Sequence, residues 1–280
     1  MTGRRTRRSR GPGARGPGAV GRLGGRGRLI SPARAAGLLG MLVAGVGLKL
    51  LTGAAAFGLS EIDRPTLKWT SADTVLASVQ VPEGTNLFQV QTAPIEARLA
   101  ALPAVASARV SVSLPHALAI TITERVPILV WQVGDNRYLA DGAGVLFAAV
   151  DAATAGAAQV PTVVDRRVAS RGSIFLGATL DPVDFDAATR LGSIIPADVG
   201  SAAVGLHVWV DDTDGFTMTA GAGTWTAVFG FYSPSVRSPD LIAGQVQLLK
   251  SLLADHEPTV ARIYLAGNRS GTYVPRATPK

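Results

Sequence analysis

Two runs of strict alternation stand near the middle of the chain. In the first, Ala108, Val110, Val112 and Leu114 are apolar and Arg109, Ser111 and Ser113 lie between them. In the second, Leu118, Ile120 and Ile122 alternate with Ala119, Thr121 and Thr123. A period of two with many β-branched residues predicts half-buried strands. The short "LPHA" link makes them neighbours, so their shared apolar face needs a cover. That cover is predicted upstream. "TAPIEARLAAL" (92–102) places Ile95, Leu99 and Leu102 on one helical face, with Thr92 as a cap, Pro94 in the first turn and Pro103 as the stop. "SADTVLASV" (71–79) places Val75, Leu76 and Val79 behind a Ser71 cap, and "EIDRPTLKW" (61–69) supplies an earlier strand. The order is strand, helix, helix, strand, strand.

After Val126 the pattern changes to short strands: "ILVWQV", "RYLA", "VLFAA", "PTVVD", "VGLHVWV", "FTMTA" and "WTAVFG". Asp214-Gly215 and Gly221-Ala-Gly223 read as hairpin links. Two helices are predicted, "DPVDFDAATRLGSII" (181–195) and "SPDLIAGQVQLLKSLLAD" (238–255), each with a cap and proline at its first helical position. In the second, Ile242, Val246, Leu249 and Leu253 form the apolar stripe. An antiparallel sheet with flanking helices is the expected assembly.

"AAGLLGMLVAGVGLKLLTGAAAFGL" (35–59) has one charge, Lys49, and is long enough for a membrane helix. Residues 1–34 carry ten arginines and no acid, whereas from Glu61 onward acids outnumber bases twenty to sixteen. The formal charge of +7 therefore belongs to a cationic tail on a mildly acidic body. By the positive-inside rule the N-terminus stays in the cytoplasm and residues 60–280 lie outside. A cleaved signal peptide using Ala54–Ala56 would need a much shorter charged region, so an uncleaved anchor is expected. Lys49 costs about 2.5–3.5 kcal/mol at a helix centre and is read as snorkelling to the head groups. The Gly/Pro/Arg-rich tail is read as disordered. Attraction to the plasma membrane's anionic lipid explains its charge without nucleic acid.

Little in the chain resembles catalytic chemistry. It contains no cysteine, and His116, His207 and His256 lack metal-ligand spacing. "VDDTDG", with Asp211, Asp212, Asp214 and Gly215, has the start of a calcium loop but not its remaining ligands, and is read as a hairpin turn. Asp181 and Asp184 are helix-start residues, and nothing places them as a paired acid and base. No nucleophile elbow or phosphate-binding loop occurs. No catalytic, metal or cofactor residue is assigned, no small-molecule substrate is expected, and the chain is not expected to be an enzyme.

One set of motifs resembles a known family. Gly84-Thr-Asn-Leu-Phe88, Leu102-Pro103-x-Val105, Ala108-x-Val110, Leu114-Pro115-x-x-Leu118-x-Ile120, Glu124-Arg125-x-Pro127, Trp131 and Leu139-x-Asp141-x-x-Gly144 follow one another behind a basic tail and one apolar span. This order and spacing resembles the FtsQ/DivIB bacterial cell-division proteins. A fainter likeness returns in the strand, helix and last strand of 227–265.

The resemblance implies a POTRA domain, a β-α-α-β-β unit that handles partner chains. The expected α+β architecture is then a basic tail over 1–34, a single transmembrane helix over 35–59 and a POTRA domain over 60–126. A β domain over 127–268 and a C-terminal tail over 269–280 complete it. The resemblance also implies a single-pass divisome scaffold at the division septum that binds bitopic proteins of FtsB/DivIC and FtsL type and helps control septal peptidoglycan synthesis. The alternatives are a general envelope-assembly or translocation scaffold, which usually has tandem POTRA units and a barrel, and a wall hydrolase, which lacks its nucleophile or acid–base pair.

The partner site is expected on "TVARIYLAGN" (259–268), read as an uncovered edge strand because "RSGTYVPRATPK" is too short and basic to cover it. An open edge accepts a partner strand. Tyr264 and Ala266 are the candidate contacts, Tyr273 and Val274 extend the surface, and Ile263 and Leu265 face the core. A proline at Tyr264 is expected to weaken partner capture without unfolding the domain. For topology, a reporter fused after Lys280 is expected to be active only outside the cytoplasm; a cytoplasmic signal would reverse the orientation.

Overall fold

The computed structural model describes residues 31–53, 57–154, 159–221 and 224–277. The expected disordered tail and the Ala54–Ala56 cleavage signal lie outside them, as do two residues of the second hairpin link. The chain divides into two units, 1–53 and 54–280. In the first, α1 runs Pro32–Thr52 and has exposed side chains along its described length. Among the described residues it is the one helix long and apolar enough to cross a membrane. It begins and ends earlier than expected. Lys49 therefore lies in its last turn, where an ammonium reaches a head-group layer far more cheaply than from a helix centre. Leu59, expected inside the span, is buried in the core of the second unit, and its N–H donates to Thr85 O at 2.9 Å.

The second unit opens with β1 (Glu61–Asp63), α2 (Ala72–Val79), α3 (Thr92–Ala100), β2 (Val105–Ser113) and β3 (Ala117–Glu124). The three strands form a sheet in the order β1-β3-β2, with β1 parallel and β2 antiparallel to β3. Ser71 caps α2 by accepting from Thr74 N, and Val75 and Val79 turn inward. Leu76 is exposed instead, because the eight-residue helix shows the sheet only its i, i+4 stripe. Gln91, not Thr92, is the N-cap of α3, and Ile95 and Leu99 are buried over the sheet. Leu118, Ile120, Ile122 and Val110 form the opposing layer. Val112 and Leu114 keep the alternation but are exposed: β2 is an edge of this sheet, whereas Leu118, opposite Val112 on the central β3, is buried.

The second sheet has nine strands. They are β4 (Leu129–Val133), β5 (Asn136–Ala140), β6 (Leu146–Ala149), β7 (Thr162–Asp165), β8 (Leu206–Asp211), β9 (Gly215–Ala220), β10 (Thr226–Gly230), β11 (Val260–Leu265) and β12 (Gly271–Pro275). Their order is β12-β11-β10-β9-β8-β7-β4-β5-β6. The sheet is mixed rather than wholly antiparallel. β7 lies parallel to both β4 and β8, and β10 lies parallel to β11. Parallel neighbours need a long crossover. The short α4 (Ser170–Ser173) with α5 (Pro182–Gly192) joins β7 to β8, and α6 (Leu241–Leu253) joins β10 to β11. Asp181 caps α5 with Pro182 at its first position, as expected. α6 starts later than expected, because Ser238 Oγ accepts from Asp240 N and forms a turn before the helix. Its predicted stripe of Ile242, Val246, Leu249 and Leu253 is buried against the sheet, where Trp131, Trp225, Phe216 and Phe229 fill the core.

Glu124 and Arg125 join the two sheets. The Glu124 carboxylate accepts from the backbone N–H groups of Lys68, Trp69 and Thr70 at 2.6, 2.8 and 2.7 Å, fixing the chain between β1 and α2. Arg125 donates through Nε to Pro103 O at 2.9 Å and through Nη1 to Asp141, whose other oxygen accepts from Ala143 N and Val145 N. Between them Trp69 meets Phe147 edge to face at 6.1 Å, above a small core of Ala104, Val130, Leu139 and Ala148. Replacing the three-fold acceptor in Glu124→Gln leaves N–H groups short of a charged partner. Its expected cost is about 1–3 kcal/mol. Urea unfolding of the detergent-solubilised chain measures it, and a loss under about 0.5 kcal/mol would show the clasp to be dispensable.

Candidate partner-binding edge

β11 is not the uncovered edge expected from the sequence. β12 pairs with it antiparallel, from Leu265↔Gly271 to Val260↔Pro275, and β12 takes the outer position. The nine-residue segment 268–276 is long enough to return across β11 once Gly267–Ser270 closes the turn, with Gly267 N donating to Ser270 O. The signal was the "GNRSG" cluster between two apolar runs, a hairpin cue. Ile263 and Leu265 face the core as expected, but Val260 is also buried. A register shift between Val260 and Arg262 explains this, since a bulge carries one residue to the opposite face. Tyr264 now lies in an interior strand, so a proline there would break a ladder and destabilise the sheet rather than act on a partner alone.

Two polar groups hold this end of the sheet. The buried Gln245 of α6 donates to Phe229 O at 3.2 Å and Leu265 O at 2.9 Å, while its Oε1 accepts from Tyr232 Oη at 2.7 Å. Arg237 donates to Phe229 O and Leu265 O at 2.6 and 2.7 Å and also to Ala266 O. Burial raises the Tyr232 phenol far above its usual range against the pull of Arg237, so the hydroxyl remains a donor. The carbonyl ends of the parallel strands β10 and β11 are thereby satisfied. At the other end of β11, Glu257 accepts from Trp225 Nε1 at 2.8 Å, Ala202 N at 3.0 Å and Ser201 Oγ.

The four candidate contact residues are exposed but do not form one patch. Val274 is opposite Arg262, and Tyr273 is opposite the buried Ile263. Paired residues share a face, so Tyr273 is on the α6 side, whereas Tyr264 and Val274 are on the helix-free side. The Arg262 guanidinium lies 5.2 Å from the Tyr264 ring and pairs with Asp214. Tyr264 and Ala266 line a hollow of about 430 Å³ with Gly230, Phe231 and Arg237. Phe231, 52 % exposed, was missed because it follows a strand end with no periodic pattern. All five β12 residues are exposed. Arg269 and Arg276 flank the strand, and no acid occurs between them.

The groups that resembled chemistry have structural partners. Asp211 accepts from Thr213 N and Asp214 N in the β8–β9 turn and from Trp209 Nε1, and Asp212 accepts from Val168 N. Arg167 bridges Asp165 and Asp184 at 2.8 and 2.6 Å, tying β7 to α5. Among the described residues no three His, Asp or Glu side chains converge on a metal position.

A family model for the FtsQ-type POTRA domain matches residues 66–125, the region of α2, α3, β2 and β3. The chain carries an FtsQ-type POTRA domain. It is also similar to proteins named cell division protein FtsQ: 43% identical over 76 residues to that of Mycobacteroides abscessus, covering 27% of this chain and 24% of the relative. For Mycobacterium tuberculosis the figures are 39% over 109 residues, 39% of this chain and 35% of the relative. For Streptomyces venezuelae they are 37% over 114 residues, 40% and 42%. The matches span less than half the length of these relatives. The resemblance to FtsQ proteins read from the motifs therefore holds, and Glu124-Arg125 within it is the clasp beneath the POTRA domain.

Glu257 also makes the site sensitive to acid. Burial alone would raise its carboxyl, but the bonds from Ala202, Ser201 and Trp225 outweigh burial and hold it below the usual range. Asp141 is lowered in the same way, with Arg125, Val145 and Ala143 outweighing burial. A lowered folded value stabilises fully above the unfolded value, about 4, and this contribution is lost as pH falls through the folded value. Urea midpoints are expected to fall with acidification below roughly pH 5, and the Glu257→Gln variant to fall less steeply. Equal slopes would deny Glu257 this role.

Proposed function

We propose that the chain is a membrane-anchored, non-enzymatic scaffold of bacterial cell division whose extracytoplasmic unit captures a partner by strand addition at β12. The observation that carries this reading is the outer edge of β12, which pairs with no further strand among the described residues, in a strand with exposed side chains at the end of a nine-stranded sheet. Such an edge offers unpaired backbone N–H and C=O groups to an incoming strand, and alternate side chains supply specificity. Two faces are available: Tyr264 and Val274 beside the Phe231 hollow, and Tyr273 on the α6 side. The absence of acid between Arg269 and Arg276 favours an acidic partner segment. The relatives' names support a division role. Bitopic proteins of FtsB/DivIC and FtsL type are the proposed partners, with control of septal peptidoglycan synthesis as the outcome. The cationic tail and α1 support a single-pass anchor with the N-terminus in the cytoplasm and the folded unit outside.

Residues 270–280 carry β12, so a chain ending at Arg269 is expected to lose partner capture while retaining most of its stability. In the full-length chain, Val274→Asp is expected to weaken capture at least about tenfold, since it places a charge in an apolar strand interface. Co-purification with the candidate bitopic partners measures both. Undiminished capture by either folded protein would move the site away from β12.

A further inference from the structure

We infer that the POTRA domain has a lipid-contacting face built on Phe57 and Phe88, which rests on the head groups of the membrane that α1 crosses. This rests on the reading of α1 as a membrane span. Phe57 and Phe88 meet edge to face, with ring centroids 5.1 Å apart. The backbone around them is joined closely: Gly58 bridges Asn86, Leu59 N donates to Thr85 O, and Gly84 N donates to Leu59 O at 2.8 Å. Asn86 then caps a single 3₁₀ turn, its side chain accepting from Phe88 N at 3.0 Å. Successive residues of such a turn point about 120° apart. With Leu87 buried in the core, Phe88 is directed outward and is half exposed. The ring lies outside the buried cluster of this domain, and among the described residues its aromatic partner is Phe57.

The tether identifies the occupant. α1 has 21 residues, about 31 Å of helix, which matches a hydrocarbon core of about 30 Å. Lys49 in the last turn marks the head-group level. Five peptide steps separate Thr52 from Phe57, at most about 18 Å of extended chain. A head-group layer occupies roughly the first 5–8 Å of that reach. The tether therefore keeps the aromatic pair within reach of the interface, where apolar rings partition. Glu83, exposed in the same loop, argues against attraction by charge, so the contact is apolar and insensitive to salt.

The chain has no cysteine, so one introduced thiol is a unique labelling point. The full chain, reconstituted in phosphatidylcholine nanodiscs containing a head-group spin-labelled lipid, carries a fluorophore at Gln89→Cys beside the ring or at Val204→Cys, fully exposed in the β domain. Quenching at position 89 is expected to exceed that at 204 by at least about threefold. It should persist in raised salt and fall to the level at 204 when Phe88→Ser is added. Equal quenching at the two positions, reversal by salt, or indifference to Phe88→Ser would each overturn the lipid face while leaving the span intact. A chain that fails to co-migrate with the discs would instead overturn the span reading, and the lipid face with it.

Discussion

The clasp at Glu124 and Arg125 is the constraint on which the arrangement of the second unit depends. The last residue of β3 gathers three backbone N–H groups from the chain between β1 and α2, and the next residue reaches Pro103 and Asp141 on opposite sides of the seam. Arginine suits the second position because its planar fork can serve a carbonyl and a carboxylate at once. Asp141 is held by its own turn N–H groups, so the pair meets with little reorganisation. The Trp69–Phe147 contact then fills the seam with apolar area.

The opposite end of the unit follows from strand direction. Because α6 returns the chain parallel to β10, β11 ends at the same side of the sheet as β10, with carbonyl groups from both strands gathered there. A buried glutamine and Arg237 satisfy these groups, and the short Gly267–Ser270 turn sends β12 back along β11. The outer edge is consequently carried by a strand that contributes almost nothing to the core. Such a strand can change its side chains for the sake of a partner with little effect on folding, whereas β11, with Ile263 and Leu265 buried, cannot.

Clasp and edge lie at separate places, and this separation fits a scaffold. The seam makes the POTRA sheet and the nine-stranded sheet one compact unit, so on the proposed reading a partner held at β12 is coupled mechanically to the POTRA domain. Carboxylates at both places, Asp141 and Glu257, are held below their usual range by donated hydrogen bonds. The same chemistry supports the joint and the beginning of β11.

Local chemistry was enough to identify most elements. Alternation marked β2, β3 and β11, because one buried face imposes a period of two, whereas β4 to β10 were marked as short apolar runs between turn signals. Ser71 and Asp181 marked helix starts because a side-chain oxygen can satisfy an N–H there, and the stripe on α6 was visible in its spacing. The motif order gave the POTRA resemblance, including Glu124-Arg125, but not what that dipeptide touches, since its partners lie 16 to 56 residues away in sequence. Tertiary structure alone decided strand order and direction, and with them the four parallel contacts, the interior position of Tyr264 and the division of Tyr264 and Tyr273 between two faces. It also decided that Val260 turns inward and Leu76 outward. Periodicity records whether a residue has a buried side, while the neighbour that buries it is chosen only when distant segments meet.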